Sequence, residues 1–312
     1  MSGVAKIIAG LDQGQPRAIG RAISMVENQE DGCAAILAHL ENREDDYLVL
    51  GITGPPGAGK STLTARLIGH FRRQGQRVGV IAVDPSSPLT GGAILGDRIR
   101  MMKHATDPDV VIRSMASRGR LGGLASGAGA ALRIMAASGC QLIIIETVGV
   151  GQSEMDIISL ADLTVLALAP GLGDEIQAMK AGLLEVVDLL LVNKFDLRGA
   201  EALSRDLAAV VRSRQANSLP PRLCHTVASE GEGVAELAAS LAEMAGLIKA
   251  SGELQRRRQQ GRHREVLDWG LELVRQELEQ RLAEAPDLEG NPRRLAEELL
   301  FELGRDMAGR FS

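Results

Sequence analysis

The sequence predicts an α/β protein with a mostly parallel central sheet flanked by helices. Between about residues 47 and 248, short apolar runs alternate with segments of helical periodicity, which is typical of a parallel sheet covered on both faces. A glycine-rich segment follows the first apolar run. Residues 1–46 and 249–312 carry only helical patterns. We therefore expect an N-terminal helical extension (1–46), an α/β domain (47–248) and a C-terminal helical region (249–312).

Apolar runs bounded by glycine and polar segments mark the strands. The predicted strands are Leu48–Ile52, Val78–Val83, Leu142–Glu146, Leu163–Leu168 and Leu189–Val192, with a further one near Leu223. Three apolar clusters predict N-terminal helices, and Gly14 and Pro16 separate the first two. Functional loops are expected at the carboxyl ends of the strands.

The C-terminal region begins with Arg256, Arg257 and Arg258 and continues as a long helical pattern with a wide apolar stripe. Acidic residues interleave soon after the arginines, which favours a solvated helix face over an anion-binding patch. The stripe is wide for a helix that packs on a small domain, and it therefore favours a homodimer. A turn-rich break at 286–292 precedes a last predicted helix.

Composition excludes some classes of function. The net charge of −5 argues against a nucleic-acid or membrane-surface partner recruited by bulk charge. No apolar stretch is long enough to span a bilayer, and no basic-then-apolar leader follows Met1, so we expect a cytoplasmic protein. Cys33, Cys140 and Cys224 are far apart and form no C-x-x-C, which favours buried free thiols over a disulfide or zinc site.

The glycine-rich segment fits G-x-x-x-x-G-K-S from Gly54 to Ser61, between a predicted strand and a predicted helix. Its glycines let the backbone turn so that N–H groups point at phosphate oxygens. Lys60 can reach the β- and γ-phosphates, and the Ser61 hydroxyl can ligate Mg²⁺. The predicted nucleotide-binding residues of this loop are Gly54, Gly57, Ala58, Gly59, Lys60, Ser61 and Thr62.

A second motif, Asn193-Lys194-Phe195-Asp196, follows a late predicted strand and has the N-K-x-D form. Guanine offers N1–H and N2–H₂ donors on one edge, and the Asp196 carboxylate can accept from both. Lys194 can lie along the purine face with its aliphatic stem, and Asn193 can tie the loop together. Residues 226–229 form a plausible second base loop, with a backbone N–H near Ala228 facing the guanine oxygen.

Three acids lie where the carboxyl edge of the sheet is expected to meet Mg²⁺ and phosphate. Glu146 ends the third predicted strand and Asp84 ends the second. Asp97 lies in a glycine-rich segment, and the residues alone favour equally a metal ligand and a charge at a helix N-terminus. Glycines 149 and 151 lie in a loop that can move when the γ-phosphate is lost. The predicted catalytic residues are Lys60, Glu146 and Asp97.

The motif set resembles the MeaB/MMAA (ArgK-type) family, GTPase chaperones of adenosylcobalamin-dependent acyl-CoA mutases such as methylmalonyl-CoA mutase. The segments that carry the resemblance are Gly51–Thr62, Ala82–Ser87, Thr90–Asp97 with Arg100 and Met101, Glu146–Glu154, and Pro170–Gln177 with Lys180. The resemblance implies that Lys60, Ser61, Asp84, Asp97 and Glu146 serve phosphate and Mg²⁺. It also implies that Asn193, Lys194 and Asp196 read guanine.

The resemblance further implies switch or partner roles for Gln152, Asp174, Gln177 and Lys180. On the residues alone, Asp174 is only a helix N-cap in a strand-to-helix loop. The implied partners are an acyl-CoA mutase and, as a further candidate, the adenosyltransferase. Cobalamin is expected on the partner, because this chain has no D-x-H-x-x-G pattern. Phe195 departs from the small residue usual at its position, which we expect to alter packing rather than base choice.

We therefore expect hydrolysis of GTP to GDP and phosphate, slow without a partner, with GTP or GDP as ligand and Mg²⁺ as cofactor. One alternative is a GTPase that delivers nickel or zinc; it needs a Cys/His cluster, and only Cys224-His225 places these residues together. A second is a P-loop kinase that prefers ATP, against which Asp196 argues. A third is a structural dimer with a vestigial site.

Overall fold

The computed structural model describes residues 3–41, 43, 46–84, 104, 106–116, 123–147, 158–172, 183–214, 220–284 and 290–310, without the side chains of 84, 116, 123–126 and 307–310. Its strands form one parallel sheet in the order β3-β2-β4-β1-β5-β6-β7. They are β1 (Leu48–Thr53), β2 (Val78–Asp84), β3 (Val110–Ala116), β4 (Leu142–Thr147), β5 (Leu163–Leu168), β6 (Leu189–Asn193) and β7 (Arg222–Thr226). The α/β class with a parallel sheet is therefore confirmed.

Helices cover both faces of this sheet, and helices also precede its first strand and follow its last strand in the chain. In chain order they are α1 (Gly3–Asp12), α2 (Pro16–Glu27), α3 (Cys33–His39), α4 (Lys60–Arg73), α5 (Gly123–Ala137), α6 (Leu183–Val186), α7 (Ala200–Ser213), α8 (Val234–Ala250), α9 (Glu253–Glu284) and α10 (Pro292–Arg310). Helices α1–α3 and α5 share one core with Val49 of β1, and α4 and α8 share another with Leu50 and Ile52. Alternate side chains of each central strand thus enter opposite layers.

Strand β3 was not predicted. It lies at the sheet edge and pairs with β2, so only part of its length needs to be apolar. Arg113 and Ser114 interrupt its apolar run, and Arg113 donates to Glu27 of α2 at 2.6 Å. An edge strand with a charged residue lacks the continuous apolar signal that identified the buried strands.

The strand order places the glycine-rich loop at the centre of the sheet. β1 lies between β4 and β5, and the chain leaves it toward β2 on one side and reaches β5, β6 and β7 on the other. Ligands of open parallel sheets bind in the crevice at such a reversal, outside the carboxyl ends of the strands. The carboxyl ends of β1, β4, β5 and β6 therefore border this crevice.

The arginines at the start of α9 were predicted to lie on a solvated helix face, and this prediction is wrong for two of the three. Arg256 is on a solvated face, with its side chain 64% exposed. Arg257 and Arg258 instead pair with Asp188 and Asp162, both at 2.8 Å, and these two carboxylates are buried. The acids stand just before β6 and β5, so α9 is anchored at the amino edge of the sheet. Only the tertiary structure shows these partners, because they lie far away in sequence.

Candidate nucleotide site

The glycine-rich loop joins β1 to α4 at the carboxyl edge of the sheet. Gly54 and Gly59 have φ of +140° and +89°, a region that favours glycine. A Cβ at Gly54 would collide with the carbonyl oxygen of Ala167 in β5, and one at Gly59 with the side-chain amide of Asn193. The loop therefore needs glycine both for its backbone conformation and for its close packing against β5 and the end of β6.

Lys60 and Ser61 open helix α4 and are both buried. The Lys60 ammonium donates to the carbonyl oxygens of Gly54 (2.6 Å) and Pro55 (3.0 Å), so its charge lies inside the curve of the loop. A buried ammonium beside a helix N-terminus forms a cationic cradle, which suits the phosphates of a nucleotide.

Ser61 also contacts the acid that ends the neighbouring strand. Its hydroxyl donates to Glu146 Oε1 at 2.5 Å, and Glu146 is only 3% exposed. A hydroxyl and a carboxylate in contact form an all-oxygen donor set, which Mg²⁺ prefers. The described residues therefore fit part of a magnesium site at this position.

Asn193, the last residue of β6, connects the glycine-rich loop to the segment after β7. Its amide nitrogen donates to the carbonyl oxygen of Ala58 at 2.8 Å. Its amide oxygen accepts from the Thr226 hydroxyl (3.0 Å) and from the Ala228 backbone N–H (3.1 Å). The side chain is buried, so these bonds are shielded from water. Three segments distant in sequence are thus held together by one amide.

The structure gives the Ala228 N–H a protein partner, whereas the sequence suggested that it faces the guanine oxygen. Ala228 nevertheless lies next to the base motif, because its acceptor is Asn193 itself. The role of residues 226–229 as a base loop remains a prediction.

The remaining residues of the base motif lie at the surface of the same edge. Lys194 and Asp196 are exposed, and Lys194 has φ of +54°, unusual for a residue with a side chain. Phe195 turns to the protein and stacks on His225, with ring centroids 4.2 Å apart. Burial lowers the pKa of His225. Phe195 thus serves packing, and the polar side chains on either side of it face outward.

Other predicted site residues fall where side chains are not described. The backbone of Asp84 ends β2 and pairs with Ala116, at the same edge as Glu146. Asp97, Gln152, Asp174, Gln177 and Lys180 lie outside the described residues. Among the residues that are described, no group of three or more His, Cys, Asp or Glu side chains could hold a metal ion.

One residue at the site was not anticipated from the sequence. Arg66 of α4 donates through Nε to the Ala228 carbonyl oxygen at 2.9 Å, and through a terminal nitrogen to that of Ser229. An arginine on an exposed helix position is common, and no sequence signal could have linked it to a segment so distant in the chain.

The fold and the site define a P-loop GTPase: a glycine loop between a central parallel strand and a helix, with N-K-x-D after a later strand. Comparison with known proteins gives the family. The model of "Methylmalonyl Co-A mutase-associated GTPase MeaB" matches residues 19–287. The chain belongs to the MeaB family.

Named relatives agree with this assignment. A protein of Pyrococcus horikoshii, named as a GTPase, is 43% identical over 292 residues and 92% of each chain. "GTPase ArgK" of Escherichia coli is 37% identical, covering 82% of this chain and 80% of that protein. The mouse "Methylmalonic aciduria type A homolog, mitochondrial" is 34% identical, over 82% of this chain and 66% of the other.

A solved structure has the same architecture over nearly the whole chain. The crystal structure of an LAO/AO transport system kinase superposes with a TM-score of 0.70 at 26% identity, covering 97% of this chain and 98% of that one. The similarity includes the helices at both ends as well as the sheet. Within the part of the chain that the structure describes, no helix has the length and apolarity needed to cross a bilayer.

Proposed function

We propose that this protein binds and slowly hydrolyses GTP, and that the nucleotide cycle gates cobalamin loading and protects or reactivates an adenosylcobalamin-dependent acyl-CoA mutase. Membership of the MeaB family supports the class of partner. The observation that carries the nucleotide proposal is the Asn193 side chain, which bonds to the phosphate loop at Ala58 and to Thr226 and Ala228. These bonds bring a phosphate site and a base motif to one crevice.

The phosphate half of the site works by position and charge. Lys60 neutralises charge on the β- and γ-phosphates, and the N–H groups of the loop and of α4 donate to their oxygens. The proposed Mg²⁺ ligands are Ser61, Asp84, Asp97 and Glu146. When bound, Mg²⁺ neutralises charge that develops on the phosphate oxygens.

The base half of the site selects guanine. Asp196 accepts from guanine N1–H and N2–H₂, and its exposed position leaves the carboxylate open to a ligand. The Lys194 stem lies on the purine face. Adenine lacks this pair of donors, so ATP would leave Asp196 facing a base it cannot pair with.

The partner side of the proposal involves segments whose side chains the structure does not describe. Gln152, Asp174, Gln177 and Lys180 are proposed to respond to the γ-phosphate and to contact the mutase or the adenosyltransferase. This chain itself binds no cobalamin in the proposal. It acts as a homodimer through α9 and α10, which expose large apolar side chains such as Leu267, Leu271 and Phe301.

The test uses a purified adenosylcobalamin-dependent acyl-CoA mutase, the full chain and GTP. We expect GTP to slow the inactivation of the mutase during turnover and to change its cofactor occupancy, followed by absorbance of the bound cobalamin. The matched control is Lys60→Ala, which removes the phosphate-binding ammonium. If neither occupancy nor inactivation differs between the wild type with GTP and this variant, the chaperone proposal is wrong.

Two alternatives have direct tests. Delivery of nickel or zinc predicts stoichiometric metal binding in a titration of the nucleotide-free chain. A P-loop kinase predicts that the full chain binds ATP more tightly than GTP, which calorimetry would measure.

A further inference from the structure

Arg66, like Asn193, bonds to the segment after β7. Its Nε donates to the Ala228 carbonyl oxygen at 2.9 Å, and its terminal nitrogen donates to the carbonyl oxygen of Ser229. Arg66 belongs to α4, the helix that begins with Lys60. The helix that begins with Lys60 of the predicted phosphate site therefore also forms hydrogen bonds to the predicted base loop.

Asn193 and Arg66 both form hydrogen bonds with the backbone of Ala228. Asn193 accepts the N–H of Ala228, and Arg66 donates to its carbonyl oxygen. Both polar groups of the Ala228 backbone thus have a protein partner, and its side chain is buried. These two groups belong to the peptide units on either side of Ala228. Holding both units fixes the direction of the backbone at this residue, because rotation of either unit would break a bond.

The positive charge of Arg66 strengthens its hydrogen bonds to the two carbonyl oxygens. A guanidinium bonded to a carbonyl forms a stronger hydrogen bond than a neutral pair, and its planar fork reaches two neighbouring acceptors at once. Lysine offers a point charge without this fork. The geometry is therefore specific to arginine, although the side chain as a whole is exposed.

We propose that Arg66 is a positioning residue that sets residues 226–229 for recognition of the purine 6-oxygen and so contributes to base selection. The inference rests on the proposed function, since it assumes that these residues form the base loop. Arg66 makes no contact with the base in the proposal. It acts through the peptide groups of Ala228 and Ser229.

The proposal predicts which nucleotides are affected. GDP and IDP both carry the 6-oxygen, and IDP lacks the 2-amino group that Asp196 reads. ADP carries a 6-amino group. Loosening the loop should therefore weaken the binding of GDP and of IDP by the same factor and leave the weak binding of ADP unchanged. A general loss of structure would weaken all three.

The experiment measures dissociation constants for GDP, IDP and ADP by calorimetry, on the full chain and on three variants. Arg66→Ala is expected to bind GDP and IDP about threefold to tenfold more weakly, as expected for charge-assisted bonds at a partly exposed site. Arg66→Lys should fall between it and the wild type. The matched control, Arg73→Ala, changes an exposed arginine later on the same helix and should behave as wild type.

Each outcome decides the matter. A loss confined to GDP and IDP supports the proposal. If Arg66→Ala matches Arg73→Ala, or if all three nucleotides weaken together, Arg66 does not position the base loop. A wild type that binds ADP as tightly as GDP would instead refute guanine recognition itself, and the inference with it.

Discussion

Asp196 and Asn193 belong to one short motif and have opposite environments. Asn193 is buried and bonded to Ala58, Thr226 and Ala228, whereas Asp196 is exposed. The buried member is structural, since its amide oxygen and nitrogen both bond to other segments of the protein. The exposed member has its carboxylate available to a base. This division explains why the motif needs an amide at one end and a carboxylate at the other.

Changing Asp196→Asn should redirect the base preference. An amide can donate to the 2-oxygen of xanthine and accept from N1–H, but it cannot accept from both guanine donors. We expect GDP to bind about 100-fold more weakly, because charged hydrogen bonds are lost. We expect xanthosine diphosphate to bind more tightly than it does to the wild type. Competition titration of the two nucleotides measures both effects.

The matched control for this change is Asp206→Asn, an exposed aspartate on α7. It should leave both affinities unchanged. Retained preference for GDP in Asp196→Asn would show that Asp196 does not read the base.

At the scale of elements, the join between α9 and the sheet depends on two buried acids. Asp162 accepts from the Val49 N–H at 2.8 Å, and Asp188 accepts from the Thr164 N–H at 2.8 Å. Arg258 and Arg257 then bond to the same carboxylates. Burial alone would lower the pKa of Arg257, but Asp188 and Glu253 raise it above its ordinary value. The first turns of α9 are thus locked to the starts of β1, β5 and β6.

Further along the helix, Glu265 forms a two-bond pair with Arg133 of α5, both bonds 2.7 Å. Near its end, Arg281 pairs with Asp306 of α10 at 2.7 Å. Between these contacts the helix carries the exposed leucines. Ion pairs therefore join the first half of α9 to the sheet domain and its end to α10, and exposed leucines lie between them.

Replacing Arg257→Ala should destabilise the protein by about 3 kcal/mol, because it leaves the Asp188 carboxylate buried without its cation. Arg256→Ala, one residue earlier, removes a solvated pair with Glu253 and should cost less than about 1 kcal/mol. Urea unfolding of the two variants measures the difference. Equal losses would contradict the assignment of Arg257 as the partner of a buried carboxylate.

For the whole molecule, the unexplained feature is the apolar surface of the C-terminal helices. Val266, Leu267 and Leu271 are each about two-thirds exposed, and Phe301 is 70% exposed. Single exposed apolar residues are ordinary, but several on adjoining helices indicate an interaction surface. A homodimer through this surface is the proposal, with 47–248 retained as the proposed GTPase domain.

The dimer is best tested with substitutions, since a chain truncated before α9 would also lose Arg257 and Arg258. We expect the wild type to be dimeric and Leu267→Glu with Leu271→Glu to be monomeric, because charge on an apolar interface is costly. Arg264→Glu adds an acid at an exposed position of the same helix and should stay dimeric. Light scattering of the full chain gives the masses; a monomeric wild type would rule the dimer out.

Much of the fold could be predicted because each buried strand corresponds to a local apolar run in the sequence. Val78–Val83 and Leu163–Leu168 are continuous apolar runs, and the structure places strands there. β3 could not be predicted in this way, since an edge strand tolerates Arg113 in its middle. The phosphate loop and the base motif were likewise recognisable from spacing, because the chemistry of each needs a few residues close together in the chain.

The sequence by itself determined the parallel α/β class, the glycine loop before Lys60 and the N-K-x-D motif, since each depends on neighbours along the chain. Tertiary structure decided how these parts meet. It placed Asn193 and Arg66 around Ala228. It also paired Arg257 and Arg258, predicted to lie on a solvated face, with the buried carboxylates of Asp188 and Asp162. The reason is physical: a hydrogen bond or ion pair between distant segments leaves no periodic trace in the residues that make it.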